Sequence, residues 1–350
     1  MSWRSCRLGD VLTLKRGHDL PEHSRQDGDV PVVSSSGITG RHKEAKAIAP
    51  GVVTGRYGTI GEVFYLEEDY WPLNTALYVI DFKGNDPKFS SYFLRNVLKG
   101  YQSEKAAVPG VDRNVLHEIK VRAPSHALQL RITETLSAYD DLIENNRRRM
   151  ALLEESARLL CREWFVRLRF PGYEHTPIVD GVPLGWQRKT LGESIKLNYG
   201  KALKAEIRVK GDYPVYGSSG IVGTHEKPLV QGPAIILGRK GNVGSVYWSS
   251  KSFYPIDTVY FVSPESSSLY LFYALKNMHF ISTDVAVPGL NRDFAYSRPL
   301  LHPPVTLLRS FHETAEPIRA QLDKLDEVNQ KLRAARDLLL PRLMSGELAV

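Results

Sequence analysis

The sequence predicts an α+β fold built twice over, and three observations predict it. The chain repeats itself: Pro31-Val-Val-Ser-Ser-Ser-Gly-Ile-Thr-Gly-Arg-His42 returns 183 positions later as Pro214-Val-Tyr-Gly-Ser-Ser-Gly-Ile-Val-Gly-Thr-His225. Each copy opens with short β-branched and aromatic runs punctuated by glycine and proline, the texture of short strands joined by turns. Each then passes into a long stretch free of Gly and nearly free of Pro, with apolar residues alternately three and four apart, the mark of a long amphipathic helix. A repeat on this scale makes each copy a structural unit, and 350 residues suffice for about two domains with cores of their own.

The match begins at Trp3, Leu8, Gly9 and Gly17, which return as Trp186, Leu191, Gly192 and Gly200. Strands are expected over 52–54, 62–66 and 76–80, with counterparts over 234–237, 245–248 and 258–262. Between the first two of each set lies a glycine-rich turn, Gly55-Arg-Tyr-Gly-Thr-Ile-Gly61 against Gly238-Arg-Lys-Gly-Asn-Val-Gly244. Tyr70-Trp-Pro72 returns as Phe253-Tyr-Pro255. A helix over 91–98 and another over 269–275 make each copy α+β. After a four-residue contraction, Ala107-Val-Pro-Gly-Val-Asp-Arg113 returns as Ala286-Val-Pro-Gly-Leu-Asn-Arg292, now 179 positions on.

The first heptad seam runs Ile132, Leu136, Tyr139, Ile143, Asn146, Met150, Leu153, Ala157, Leu160, Trp164; the second runs Phe311, Ala315, Ile318, Leu322, Leu325, Asn329, Leu332, Arg336, Leu339, Leu343. Each helix of ~40 residues would be about 60 Å long and could not bury its stripe alone, so the two are expected to pack on each other. The connector from Phe170 to Gly185 should break the first helix at Pro171; Pro317 sits in the first turn of the second or kinks it, and Pro341 loosens its end. The expected organisation is a module over 1–125, a helix over 126–170, a linker over 171–184, a second module over 185–303 and a second helix over 304–350.

A formal charge of +7 and a pI near 9.2 favour an acidic partner, with nucleic acid ahead of anionic membrane because no long basic helix with an aromatic face is evident. Cys6 and Cys161 have no companions at metal-ligand spacing and form no disulfide framework, which fits a reducing cytoplasm. The N-terminus lacks an apolar signal stretch and no ~18 uncharged apolar residues run together, so a soluble, unprocessed cytoplasmic protein is expected.

The Gly-Arg-x-Gly-x-x-Gly turns lack the Lys-Ser/Thr ending of a phosphate loop and are not followed by a helical pattern. They read as turns between strands that can lay Arg56 or Arg239 against a DNA phosphate, which a planar guanidinium suits. Asp69 and Asp81 suggest a metal-dependent nuclease only until the repeat is consulted, because position 81 maps onto Pro264. Asp69-Tyr-Trp-Pro72 has the wrong order for an amino-methyltransferase motif, so no methyl-transfer chemistry is assigned. His42 and His225 lack metal-binding companions; each either contacts a base or phosphate or stabilises its turn. Arg147-Arg-Arg149 is a solvated helix face, and the seam asparagines fix register.

Turn glycines, prolines and strand residues recur between copies, whereas polar residues at matched turns change: Arg41 against Thr224, Tyr57 against Lys240, Thr59 against Asn242, Asn74 against Asp257. One scaffold reading two base sequences would show this pattern, as would drift after duplication. The candidate DNA-binding residues are therefore Ser35, Ser36, Arg41, His42, Lys43, Arg56, Tyr57, Thr59, Asn74 and Arg113 in the first copy. In the second they are Ser218, Ser219, Thr224, His225, Lys227, Arg239, Lys240, Asn242 and Arg292. No catalytic or metal-binding residue is assigned.

With these residues in view, the chain resembles the specificity (S) subunits of type I restriction-modification systems over almost its whole length. The resemblance rests on the order module, helix, module, helix, and on Leu8-Gly-Asp with Leu191-Gly-Glu, the Ser-Ser-Gly-Ile-x-Gly turns and the Val-Pro-Gly-x-x-Arg segments. Asp140-Asp-Leu-Ile-Glu-Asn-Asn-Arg-Arg-Arg-Met150, Cys161-Arg-Glu-Trp-Phe-Val-Arg167 and Leu338-Leu-Leu-Pro-Arg-Leu-Met-Ser-Gly-Glu-Leu348 add to it. It implies two target recognition domains, each reading half of a bipartite double-stranded DNA site, and two helices packed as an antiparallel coiled coil. It further implies docking of methyltransferase (M) subunits, expected as two, and of restriction/translocase (R) subunits. S-adenosylmethionine would belong to the M subunit, with no cofactor on this chain and no membrane partner. Two other readings stand beside it: the recognition subunit of a related restriction enzyme with fused methyltransferase-nuclease, and a structural adaptor that binds protein.

Overall fold

The computed structural model describes residues 3–56, 61–99, 111–280 and 289–350. The first copy supplies β1 (Trp3–Arg7), β2 (Thr13–Arg16), β3 (Val30–Ser34), β4 (Gly37–His42), β5 (Gly51–Gly55), β6 (Val63–Leu66), β7 (Trp71–Pro72), β8 (Ala76–Asp81), α1 (Pro87–Lys99), α2 (Arg113–Glu118), β9 (Lys120–Pro124) and the long α3 (His126–Cys161). A small ribbon, β10 (Ile178–Val179) with β11 (Val182–Pro183), leads into the second copy. There follow β12 (Gln187–Thr190), α4 (Leu191–Ser194), β13 (Asn198–Tyr199), β14 (Tyr213–Gly217), β15 (Gly220–His225), β16 (Ala234–Gly238), β17 (Val246–Ser249), β18 (Tyr254–Pro255) and β19 (Val259–Phe261). Then come α5 (Leu269–Lys276), α6 (Arg292–Tyr296), β20 (Pro299–His302) and the long α7 (Val305–Ser345). The six strands and two short helices expected from the sequence are all present.

The copies share one topology. A four-stranded sheet β2-β8-β5-β6 corresponds to β13-β19-β16-β17, a three-stranded sheet β4-β3-β7 to β15-β14-β18, and a ribbon β1-β9 to β12-β20. The correspondence reaches fine detail. In each three-stranded sheet one pair is parallel, Val32 beside Trp71 and Val215 beside Tyr254. Each also carries a bulge at the matched place, between Pro31 and Val33 and between Pro214 and Tyr216.

The chain folds as two compact units, residues 1–145 with 328–350 and residues 146–327. In unit 1 the four-stranded sheet is covered on both faces, which is why its strands read as continuous apolar runs rather than alternating ones. Val52, Leu77 and Val79 join α1 through Phe89, Phe93 and Leu94, together with Ile132 and Leu136 of α3 and Leu340 and Leu343 of α7. The alternate residues Val53, Ala76 and Tyr78 pack with Val33 and Tyr70 of the other face. Polar contacts tie the helices there: Tyr92 Oη donates to Asp140 Oδ2 at 2.5 Å, and Asp140 pairs with Arg336. Arg336 thus occupies an apolar seam position because a carboxylate of α3 meets it. Burial, reinforced by Asp140, drives the Tyr92 hydroxyl pKa well above the ordinary phenol range.

Unit 2 repeats the arrangement. Ile235 and Leu237 face the helices, while Ala234 and Ile236 face Tyr216 and Phe253. Its helix layer is aromatic, with the Phe165 ring 5.0 Å from Phe311 and 4.6 Å from Tyr270. Lys276 of α5 meets Glu154 of α3 at 2.7 Å.

All ten residues of each heptad seam are buried or half-buried, Asn146 and Asn329 among them. Within each unit the segments of α3 and α7 run antiparallel. Pro171 does not end the first helix. A π-helical turn over Arg162–Val166 follows α3, Leu168 adopts φ +57°, and the chain leaves the helix before any proline is reached. The widened turn carries Phe165 into the core, where Phe170 is also buried. Pro317 lies beyond the first turn of α7, which continues through both Pro317 and Pro341 at the loss of a ladder hydrogen bond at each. Among the described residues no helix is long and apolar enough to cross a membrane, and no group of three His, Cys, Asp or Glu is placed to hold a metal.

One backbone group is satisfied by different chemistry in the two copies. The Leu14 N–H donates to His117 Nε2 at 2.9 Å, and the matched Leu197 N–H donates to Tyr296 Oη at 2.9 Å. Glycine lets both side chains approach closely: a Cβ at Gly192 would lie 2.8 Å from Tyr296 Cβ, a clash, and one at Gly9 3.1 Å from His117 Cβ, a tight contact. Burial lowers the His117 pKa below its ordinary 6.5, and the Arg113 charge lowers it further against an opposing effect of Glu118. The folded state therefore takes up its proton later than the unfolded state, so this stabilisation is complete above pH 6.5 and is lost as pH falls from 6.5 toward the depressed value. Replacing His117 by the tyrosine of the other copy should remove that contribution. Denaturant titrations of wild type and His117→Tyr at pH 7.5 and 5.5 should show a smaller acid-side loss in the variant; equal losses would exclude His117 as a source of the pH dependence.

Candidate nucleic-acid interface

Four segments distant in sequence meet at one end of each four-stranded sheet. The first is the hairpin turn between β3 and β4, or β14 and β15, where Gly37 and Gly220 take φ +100° and +99°, values that favour glycine. In unit 1 the turn is braced internally, with Ser36 N–H donating to Ser34 Oγ at 3.1 Å and Ser34 Oγ donating to Gly37 O at 3.2 Å. Unit 2 has Gly217 in place of Ser34 and braces the turn from outside. Ser218 O accepts from Ser245 Oγ at 2.7 Å and from Tyr247 Oη at 3.0 Å.

The second segment is the Gly-Arg turn, the third comes after β7 or β18, and the fourth holds Arg113 or Arg292. Backbone hydrogen bonds join them. Arg56 N–H donates to Thr75 O at 2.9 Å, and Arg56 O accepts from Val111 N–H at 2.9 Å. In unit 2, Arg239 N–H donates to Thr258 O at 2.9 Å, and Arg239 O accepts from Leu290 N–H at 2.8 Å. Ser218 N–H reaches Thr258 Oγ1 at 3.3 Å, and Lys240 forms a bridge with Gly289. Asn74 lies at the same junction and donates to Asp19 Oδ1 at 2.6 Å.

Unit 1 thus gathers the Ser35–Ser36 turn, Arg56, Asn74 and Arg113, and unit 2 gathers the Ser218–Ser219 turn, Arg239, Lys240, Asn242 and Arg292. Tyr57 and Thr59 lie outside the described residues. The remaining candidates stand elsewhere. Arg41, His42 and Lys43, like Thr224, His225 and Lys227, sit at the opposite end of the hairpin, about 17 Å along the strand from its turn.

His42 is buried, its Nδ1 accepting from Gln26 N–H at 3.0 Å and its ring edge-on to Trp71 at 5.2 Å. His225 makes the matching pair of contacts, with Val209 N–H at 3.2 Å and Tyr254 at 5.7 Å. Of the two roles open to these histidines, loop stabilisation is the one the geometry fits. Arg41 donates to Asp29 O and lies 4.0 Å from Glu68, and Lys227 lies 3.7 Å from Glu226.

Two residues that sequence reasoning passed over belong to the converged face: Arg16 and its match Tyr199, each at the end of its strand and each exposed. The Arg239 and Arg292 guanidiniums lie 5.0 and 5.3 Å from the Tyr199 ring centroid. The signal was the next residue. A Cβ at Gly17 would fall 2.2 Å from Leu73 O, and one at Gly200 2.0 Å from Ile256 O, so only glycine lets this strand cross the third segment. In unit 1 the electrostatics of the crossing are visible at His18, whose pKa is lowered by burial and then by the charges of Lys15 and Lys46.

Gly200→Ala should therefore cost about 1–3 kcal/mol through overpacking against main chain. The check is the denaturation midpoint, and a variant as stable as wild type would show that the crossing can open at no cost.

A family model described as the type I restriction modification DNA specificity domain matches residues 2–155 and 183–294. The type I restriction enzyme MjaIX specificity subunit of Methanocaldococcus jannaschii is 24% identical over 297 residues, spanning 75% of this chain and 67% of that protein. Among solved structures, the S subunit of a type I restriction-modification system from M. genitalium has the same fold. Its TM-score is 0.58 at 18% identity, with 98% of this chain and 96% of that one covered.

Proposed function

The chain belongs to the type I restriction-modification DNA specificity family, and we propose that each of its two units reads one half of a bipartite, asymmetric site in double-stranded DNA. The observation that carries this reading is the converged face. The copies keep the same backbone hydrogen bonds and a matched arginine, Arg113 or Arg292, there, yet present Arg16 and Asn74 in one where the other has Tyr199 and Asp257. A shared frame with exchanged polar groups is what two readers of different sequences require. A net charge of +7 supplies the long-range attraction to a polyanion.

In this reading α3 and α7 serve as spacer and as docking surface for methyltransferase subunits, two of them, with restriction/translocase subunits completing a cytoplasmic complex. S-adenosylmethionine and the methyl transfer belong to the methyltransferase partner; this chain contributes recognition and no catalytic group. Two half-sites are useful on energetic grounds. A mismatched pair costs about 1–3 kcal/mol, so a few pairs on each side provide a discrimination that one side alone would not.

The test is selection from randomised duplex DNA by the chain co-purified with its methyltransferase partner, with sequencing of the DNA retained at moderate salt. The expected result is a split, asymmetric motif with a fixed gap. Exchanging residues of one converged face should alter one half of the motif only. Adding a single residue to a helix shifts the downstream chain by about 1.5 Å but rotates it by about 100°, so changes of gap should be tolerated in whole turns. A soluble complex that enriches no motif, with shallow salt dependence, would favour a protein-binding adaptor instead.

A further inference from the structure

Tyr199 stands out on the converged face of unit 2 because two guanidiniums share its ring. Cations placed this close repel each other, and a carboxylate is the usual remedy. Among the described residues neither Arg239 nor Arg292 is ion-paired with one, although both lie within 5.3 Å of the same centroid.

Each member is held from behind. Tyr199 pairs with Tyr260 across the sheet, their rings 5.1 Å apart, and the buried Tyr260 donates to Leu290 O at 3.1 Å. Arg239 is fixed by its backbone at both sides and by Nη1 donating to Asp257 O at 3.1 Å. Arg292 opens α6 directly after Asn291, whose side chain accepts from Asp293 N–H at 2.7 Å and Phe294 N–H at 3.3 Å. Tyr199 is 49% exposed, so the cluster lies at the surface. Lys240 adds a further cation next to Arg239.

We propose that Tyr199 is a positioning residue that gathers Arg239 and Arg292 into a clamp for backbone phosphate of the half-site read by unit 2. The proposal rests on the DNA-recognition reading above and adds to it the group recognised. Two guanidiniums that pair with no carboxylate among the described residues suit a diffuse anionic oxygen cluster, and the aromatic ring attracts both by cation–π interaction while their remaining N–H groups stay available. The matched residue in unit 1 is Arg16, so the two units would grip the backbone differently at equivalent places.

The experiment uses the full chain with its methyltransferase subunits on the duplex selected for the wild type. Binding is measured across a salt series for Tyr199→Phe, Tyr199→Ala, Tyr199→Leu, Arg239→Gln and Arg292→Gln. Tyr199→Phe should bind within about twofold of wild type, whereas Tyr199→Ala and Tyr199→Leu should each bind about tenfold more weakly, the loss of roughly one well-placed cation–π pair. The leucine variant keeps apolar cover over Tyr260 and separates loss of the ring from loss of fold. Each arginine variant should lower the slope of log affinity against log salt by about 0.9 and leave the selected motif unchanged.

Ring-deleted variants that bind within twofold of wild type would overturn the positioning role. Arginine variants that change the preferred bases at an unchanged salt slope would overturn the phosphate assignment. A wild-type complex without any duplex preference would instead be a failure of the DNA-recognition reading itself.

Discussion

The constraint on which each unit depends is a four-stranded sheet that has to be covered on both faces. One cover is the small three-stranded sheet, contributing Val33 and Tyr70 in unit 1 and Tyr216 and Phe253 in unit 2. The other is a helix layer that a single module does not complete from its own α1 or α5. Unit 1 takes Ile132 and Leu136 from the start of α3 and Leu340 and Leu343 from the end of α7; unit 2 takes Ala157 and Cys161 from the end of α3 and Phe311 and Ala315 from the start of α7. Burying a leucine or phenylalanine side chain contributes about 1.5–3 kcal/mol. The long helices are therefore part of each module's core, and no cut between module and helix leaves either intact.

With both sheet faces covered, the polar groups around the strand ends can vary between the copies. The copies show how far it goes without altering the frame. An imidazole nitrogen and a phenol oxygen satisfy the same backbone N–H, and a serine inside one hairpin turn is replaced by a serine and a tyrosine outside the other. Such exchanges preserve the hydrogen-bond accounting of buried groups while altering charge, titration behaviour and shape at the surface. At these positions the framework is indifferent to which polar group fills the place, provided that some group does.

This explains what was legible in the sequence. Strands, short helices and both heptad seams follow from burial periodicity, which leaves a local signature, and Arg336 within a seam was readable although its partner Asp140, 196 positions away, was not. The end of the first helix was misplaced because a proline is a visible breaker, whereas the pull of Phe165 and Phe170 into a distant core is not. The converged face was half legible. Matched turns pointed to Arg56, Arg113, Arg239 and Arg292, but hairpin residues such as Arg41 and Lys43 are near the turn in sequence and at the far end of a strand in space. The sequence left His42 between a DNA contact and a stabilising role, and only the fold reveals Trp71 and the Gln26 N–H around it. Tyr199 was missed because aromatic residues next to strands usually mean core.

If recognition is shared between the two units as proposed, preorganisation matters at each face. Each flexible side chain ordered on binding costs about 0.5–1.5 kcal/mol. Arg239, anchored at its backbone N–H, its carbonyl and one guanidinium nitrogen, has surrendered most of that freedom on folding. Arg292 is placed by the Asn291 cap and steadied by the rings of Tyr199 and Tyr296. The ordering cost is met by the core that fixes these anchors, so on the proposed reading the face retains more of its contact energy for gripping DNA.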